Sequence, residues 1–104
     1  MRTVVACLIL LLVTANSALA ASASERRGKA FAKAHCARCH AIDRRSASRN
    51  EDAPPFRTLH RRYPVETLAE AFAEGIYTGH PEMPAFELDP RQINDLLAFL
   101  KSLE

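Results

Sequence analysis

Cys36-Ala37-Arg38-Cys39-His40 is the stretch on which the reading of this chain turns. Two cysteines separated by two residues and followed at once by histidine form the attachment pattern of a c-type haem. At this spacing the two sulfurs reach the two vinyl groups of one porphyrin and form two thioethers. His40, fixed beside the second thioether, is then placed to put its imidazole on the iron as the proximal ligand. Two plainer readings compete: a zinc half-site and a thioredoxin-like dithiol. A zinc site needs a second ligand pair, and the only other cysteine is Cys7, far upstream in an apolar run. A thioredoxin-like dithiol follows a strand, whereas the residues before Cys36 have helical spacing. Haem is therefore the expected group, one per chain.

Residues 1–20 have the layout of a secretory signal: Arg2, an apolar run over Val4–Val13, and the small-residue site Ala18-Leu19-Ala20. A second cut is available after Ala23. The apolar run is short for a membrane span, so an uncleaved anchor is the lesser alternative. Cleavage would remove Cys7 and leave one domain over 21–104, exported to the periplasm, where haem is joined to such motifs. A core of that size is marginal unless a cofactor adds apolar mass. Charge is unevenly spread: Ala21–Arg62 holds 11 basic and four acidic residues, Tyr63–Glu104 two basic and eight acidic. Such an asymmetry orients a molecule against a partner, although solubilising a small surface needs no more. Nucleic acid fits poorly, because the basic residues are not interleaved with aromatics.

Along the chain, Ser24–His35 is expected to be a helix capped by Ser24, with Gly28, Phe31 and Ala32 on one face. A glycine there predicts close approach of another helix. Residues 41–53 have no apolar period and read as loop. Ala53-Pro54-Pro55 is a rigid turn, and the Pro54 carbonyl is a candidate acceptor for the Nδ1–H of His40, which would orient the ligand. Phe56–Tyr63 is a basic connector. Pro64–Glu74 is expected as a helix stopped by Gly75. Asp89 and Pro90 open the strongest helix, with Ile93, Leu96, Leu97, Leu100 and Leu103 on its apolar stripe. No segment reads as a strand.

Between these last helices lies Ile76–Phe86, a loop by composition, with Met83 between Pro81 and Pro84. A thioether on a polar loop is either a gap filler or a soft axial ligand for haem iron. With a haem motif upstream, Met83 is the expected sixth ligand and His80 its main rival, ahead of His35 and His60.

The Gly28–Phe31 helix, Cys36-Ala37-Arg38-Cys39-His40, the Pro54 segment, Met83-Pro84 and Asp95–Lys101 together closely resemble class I mono-haem cytochromes c of the short bacterial type. The resemblance covers about Glu25 to Glu104. It implies an all-α fold of three to four helices around one covalently attached haem c, with the first and last helices crossing at Gly28 and Phe99. It also implies His40 and Met83 as metal ligands, Cys36 and Cys39 as attachment points, and Pro54 as the acceptor for His40. Two features depart from mitochondrial relatives. Arginines replace their lysine-rich face, and no tryptophan is present to meet a propionate, leaving Tyr63, Arg57 or Tyr77 for that role. The expected function is periplasmic one-electron transfer by a monomer, not an enzyme. Redox partners would dock an acidic face, steered by Arg38, Arg44 and Arg45, and membrane contact would come only through partner complexes. The alternatives are an electron-transfer subunit of a larger dehydrogenase, or a haem-based gas sensor or peroxide enzyme whose methionine leaves the iron.

Overall fold

The computed structural model describes residues 23–75 and 80–104; the expected leader with its cut after Ala20, the start of the Ile76–Phe86 loop and Tyr77 lie outside them. Among the described residues all regular structure is helical, and none is strand. Helix α1 covers 23–35, α2 covers Leu68–Glu74 and α3 covers Pro90–Ser102, with 3₁₀ turns at Phe56–Arg61 and Val65–Thr67.

Helix α3 begins where its sequence signals stand. The Asp89 carboxylate accepts from the Gln92 backbone N–H at 2.9 Å, and Gln92 Oε1 accepts from the Asp89 N–H at 3.1 Å. This reciprocal capping box, followed by Pro90, satisfies donors that a helix start leaves open. The start of α1 differs from expectation. Residue 23 is already helical, and Ser24 spends its hydroxyl on Asp95 Oδ1 at 2.8 Å instead of capping its own helix. With residue 23 already helical, Ser24 lies inside the helix and not at its cap, where its oxygen would accept a backbone N–H; its hydroxyl donates to a tertiary carboxylate instead.

The 64–74 helix also departs from the expected single element. Its first turn is 3₁₀, because Thr67 bonds back to the Pro64 carbonyl through both its N–H (3.0 Å) and its hydroxyl (2.7 Å). The same device closes the earlier 3₁₀ turn, where Thr58 bonds the Pro55 carbonyl through N–H (3.0 Å) and hydroxyl (2.8 Å). Gly75 ends α2 with φ +91°, a conformation that favours glycine.

Helix α3 is the hub: α2 and both 3₁₀ turns pack on it. Leu96, Leu100 and Val65 are the most deeply buried large side chains, joined by Phe56, Leu59, Phe72 and Phe99. Helix α1 crosses α3 at Gly28, where a Cβ would stand 1.9 Å from the Asp95 carbonyl oxygen and 2.8 Å from Phe99 Cβ. Arg27 clamps the crossing with two bonds to the Asp95 carboxylate, at 2.8 and 3.0 Å. The Arg27 guanidinium, helped by the Ser24 hydroxyl, holds that carboxyl below the usual carboxylate range against the opposing effect of burial.

Candidate functional site

The end of α1 carries the cysteine pair. Cys36 N–H bonds the Ala32 carbonyl at 2.8 Å, so the helical ladder runs into the motif. The chain then tightens, with Cys39 N–H and His40 N–H both on the Cys36 carbonyl at 3.1 and 2.9 Å. Cys36, Cys39 and His40 are thus presented on one compact turn, each half-buried. Both thiols are free, and burial pushes the Cys36 thiol up to about 11, so it stays protonated at neutral pH.

After His40 the chain doubles back. Phe56 N–H bonds the Ala41 carbonyl at 2.9 Å, which brings the Pro54-Pro55 turn alongside the motif. His40 Nδ1 lies 2.8 Å from the Pro54 carbonyl oxygen. A carbonyl only accepts, so Nδ1 carries a proton, and in the neutral ring this leaves the lone pair on Nε2. Phe56 packs its ring against the His40 imidazole, centroids 5.0 Å apart.

These residues border a cavity of about 670 Å³. Its apolar wall comes from Phe31, Phe56, Leu59, Phe72, Leu96 and Leu100. Met83 lines the same cavity, half-buried, in a turn closed by its N–H on the His80 carbonyl at 3.2 Å. The three other histidines separate clearly. His60 does not line the cavity, and its Nδ1 is buried without a hydrogen-bond partner. His35 lines it, with its ring against Phe31 and Phe86 at centroid distances of 4.5 and 6.2 Å. His80 lines it too, with Nε2 3.2 Å from Asp52 Oδ2.

Tyr63 lines the cavity, whereas Arg57 does not; Arg57 donates to the Ser46 carbonyl at 2.7 Å. The sequence reading overlooked Arg62, the lone Lys or Arg among the cavity's described residues. Its signal was the Arg61-Arg62 pair near the end of the basic connector Phe56–Tyr63. Asn50 and Asp52 were also passed over as loop.

Two free thiols, an imidazole with a defined tautomer and a thioether on one apolar cavity suit haem c. The volume lies within the range of cofactor pockets. Such a group supplies the ferric–ferrous couple, and the protein's part is to hold and enclose it.

A second groove, about 650 Å³, runs between α1, the 42–46 loop and the end of α3, and shares no lining residue with the cavity. Lys29, Arg44 and Arg45 border it above an apolar floor of Ile42, Phe99 and Leu103. Arg44 Nη2 donates to the Ser102 carbonyl, fixing the loop to α3. Asp43 accepts from the Ser46 hydroxyl and from the N–H groups of Ser46 and Arg45, and these bonds hold its carboxyl down at about 2. Arg38 is exposed on the motif itself and borders neither space.

The Cytochrome c family model matches residues 25–104. Cytochrome c-552 of Bradyrhizobium diazoefficiens is 35% identical over 98 residues, covering 93% of this chain and 90% of that protein. No solved structure matches the chain.

Proposed function

The chain belongs to the cytochrome c family, and from that premise we propose that it is an exported, periplasmic one-electron carrier with His40 and Met83 as its axial ligands. As a member of that family it binds haem c covalently and transfers electrons. The observation that carries the finer reading is the pairing of a proton-defined His40 with Met83 on one cavity. The Pro54 carbonyl holds the His40 ring in its tautomer and makes Nε2 a better donor. Cys36 and Cys39 anchor the group at the end of a clamped helix. The apolar wall keeps water from the centre, and filled axial positions leave no place for a substrate. Family membership supports electron transfer over catalysis.

The test is the absorption spectrum of the oxidised, matured protein beside Met83→Ala. A weak long-wavelength ferric band, present in the parent and lost in the variant, is expected. A parent without the band, or one that takes up carbon monoxide quickly when reduced, would overturn the ligation.

We also propose that the carrier works as a monomer and meets acidic redox partners through its basic side, with Arg44 and Arg45 on the second groove and Arg38 on the motif. Arg44→Ala/Arg45→Ala should slow association at low salt, several-fold or more, with little effect at high salt. Equal rates at low salt would rule out this steering role.

A further inference from the structure

The Met83 turn is short and lies outside any helix, so something else must hold it in register with His40. Two polar ties join it to the loop that follows Cys39. Asn50 Nδ2 donates to Glu82 Oε2 at 3.1 Å, and His80 Nε2 lies 3.2 Å from Asp52 Oδ2. The loop end of each tie is itself anchored. Asn50 N–H bonds the Cys39 carbonyl at 3.1 Å, and Asn50 Oδ1 accepts from the Asp52 N–H at 2.9 Å. Both ends of the Asn50 amide are therefore used, which fixes its orientation. On the other side, Glu82 directly precedes Met83 and the His80 carbonyl accepts the Met83 N–H. All four tie residues line the cavity, and Asp52 and Glu82 are exposed, so the ties stand at its mouth.

We propose that Asn50 and Asp52 are positioning residues that latch the Met83 turn to the Cys39 side of the cavity, and so keep the methionine sulfur on its site. The proposal rests on the reading of Met83 as an axial ligand. The path is continuous: Cys39 carbonyl to Asn50, Asn50 to Glu82, Glu82 to Met83, with Asp52 and His80 in parallel. Each exposed tie is weak alone. Acting on the same short turn they add, and their loss should appear as a larger fraction of protein with the sulfur off its site.

The test uses the matured, haem-loaded protein and the double variant Asp52→Ala/Glu82→Ala. This pair removes both ties and leaves the Asn50 Oδ1 bond to the residue 52 backbone intact. Reduced double variant should bind carbon monoxide about tenfold faster than the parent, with a weakened long-wavelength ferric band. Asp52→Asn/Glu82→Gln, which keeps both acceptors, should restore the parent rate and band. A general structural role would lower the unfolding temperature in both double variants without this split. A parent that shows the ferric band, with a double variant binding carbon monoxide no faster, overturns the latch alone. A parent without the band overturns the Met83 ligation and the latch together. If the double variant does not mature, Glu82→Ala alone must show faster binding than Glu82→Gln, or the latch falls.

Discussion

A methyl group at position 28 would stand 1.9 Å from a backbone oxygen of α3, and backbone cannot swing aside. Alanine gains up to about 1 kcal/mol over glycine inside a helix. Overpacking of this kind typically costs about 1–3 kcal/mol and more where no flexible atom yields. The clash wins. Gly28→Ala should lower the unfolding temperature of the matured protein by roughly 10 °C, and an unchanged midpoint would mean that the helices do not meet there. Asp95 gives a second residue-level prediction, in pH. Its folded carboxyl titrates below the usual range, so the unfolded chain binds more protons once pH falls below about 4. Its contribution is thus complete above that point and lost on further acidification. Asp95→Asn should lower stability at neutral pH and flatten the acid limb of a stability–pH curve, while a limb as steep as the parent's would remove Asp95 from its cause.

At the scale of elements, much was legible because the signals are local. Asp89, Pro90 and Gln92 lie within four residues, and nothing in the fold competes for them. The Cys36–His40 spacing is equally local. Ser24 misled because the helix starts before it and its hydroxyl has a distant acceptor, Asp95, which no local pattern announces. The ties from Asn50 and Asp52 were illegible for the same reason, spanning 32 and 28 residues in polar loops. One further signal is local: Pro55-Phe56-Arg57-Thr58 and Pro64-Val65-Glu66-Thr67 share the pattern Pro-x-x-Thr, and each closes a 3₁₀ turn. The threonine hydroxyl and N–H converge on a proline carbonyl. Thr58→Val removes the hydroxyl bond at a half-buried site and should cost about 1 kcal/mol, read as a shifted denaturant midpoint with an unchanged slope. The exposed Thr67→Val should cost less. Equal, negligible effects would reduce both hydroxyls to bystanders.

For the whole molecule, the cavity sets the terms of folding. Without the group, the apolar side chains Phe31, Phe56, Leu59, Phe72, Leu96 and Leu100 would line about 670 Å³ of void or water. A domain of this size has little other core to offset the loss. Chain lacking the group should therefore not hold this fold. Cys36→Ser/Cys39→Ser protein purified without haem is expected to show a largely unordered far-ultraviolet circular dichroism spectrum, and a cooperative helical melt would contradict this. The separation of the cavity from the second groove carries a different implication. No residue belongs to both walls, so substitutions that recruit a new partner at Lys29 or Arg45 need not disturb the metal environment. A lineage can exchange the proteins it serves while inheriting its electrochemistry unchanged.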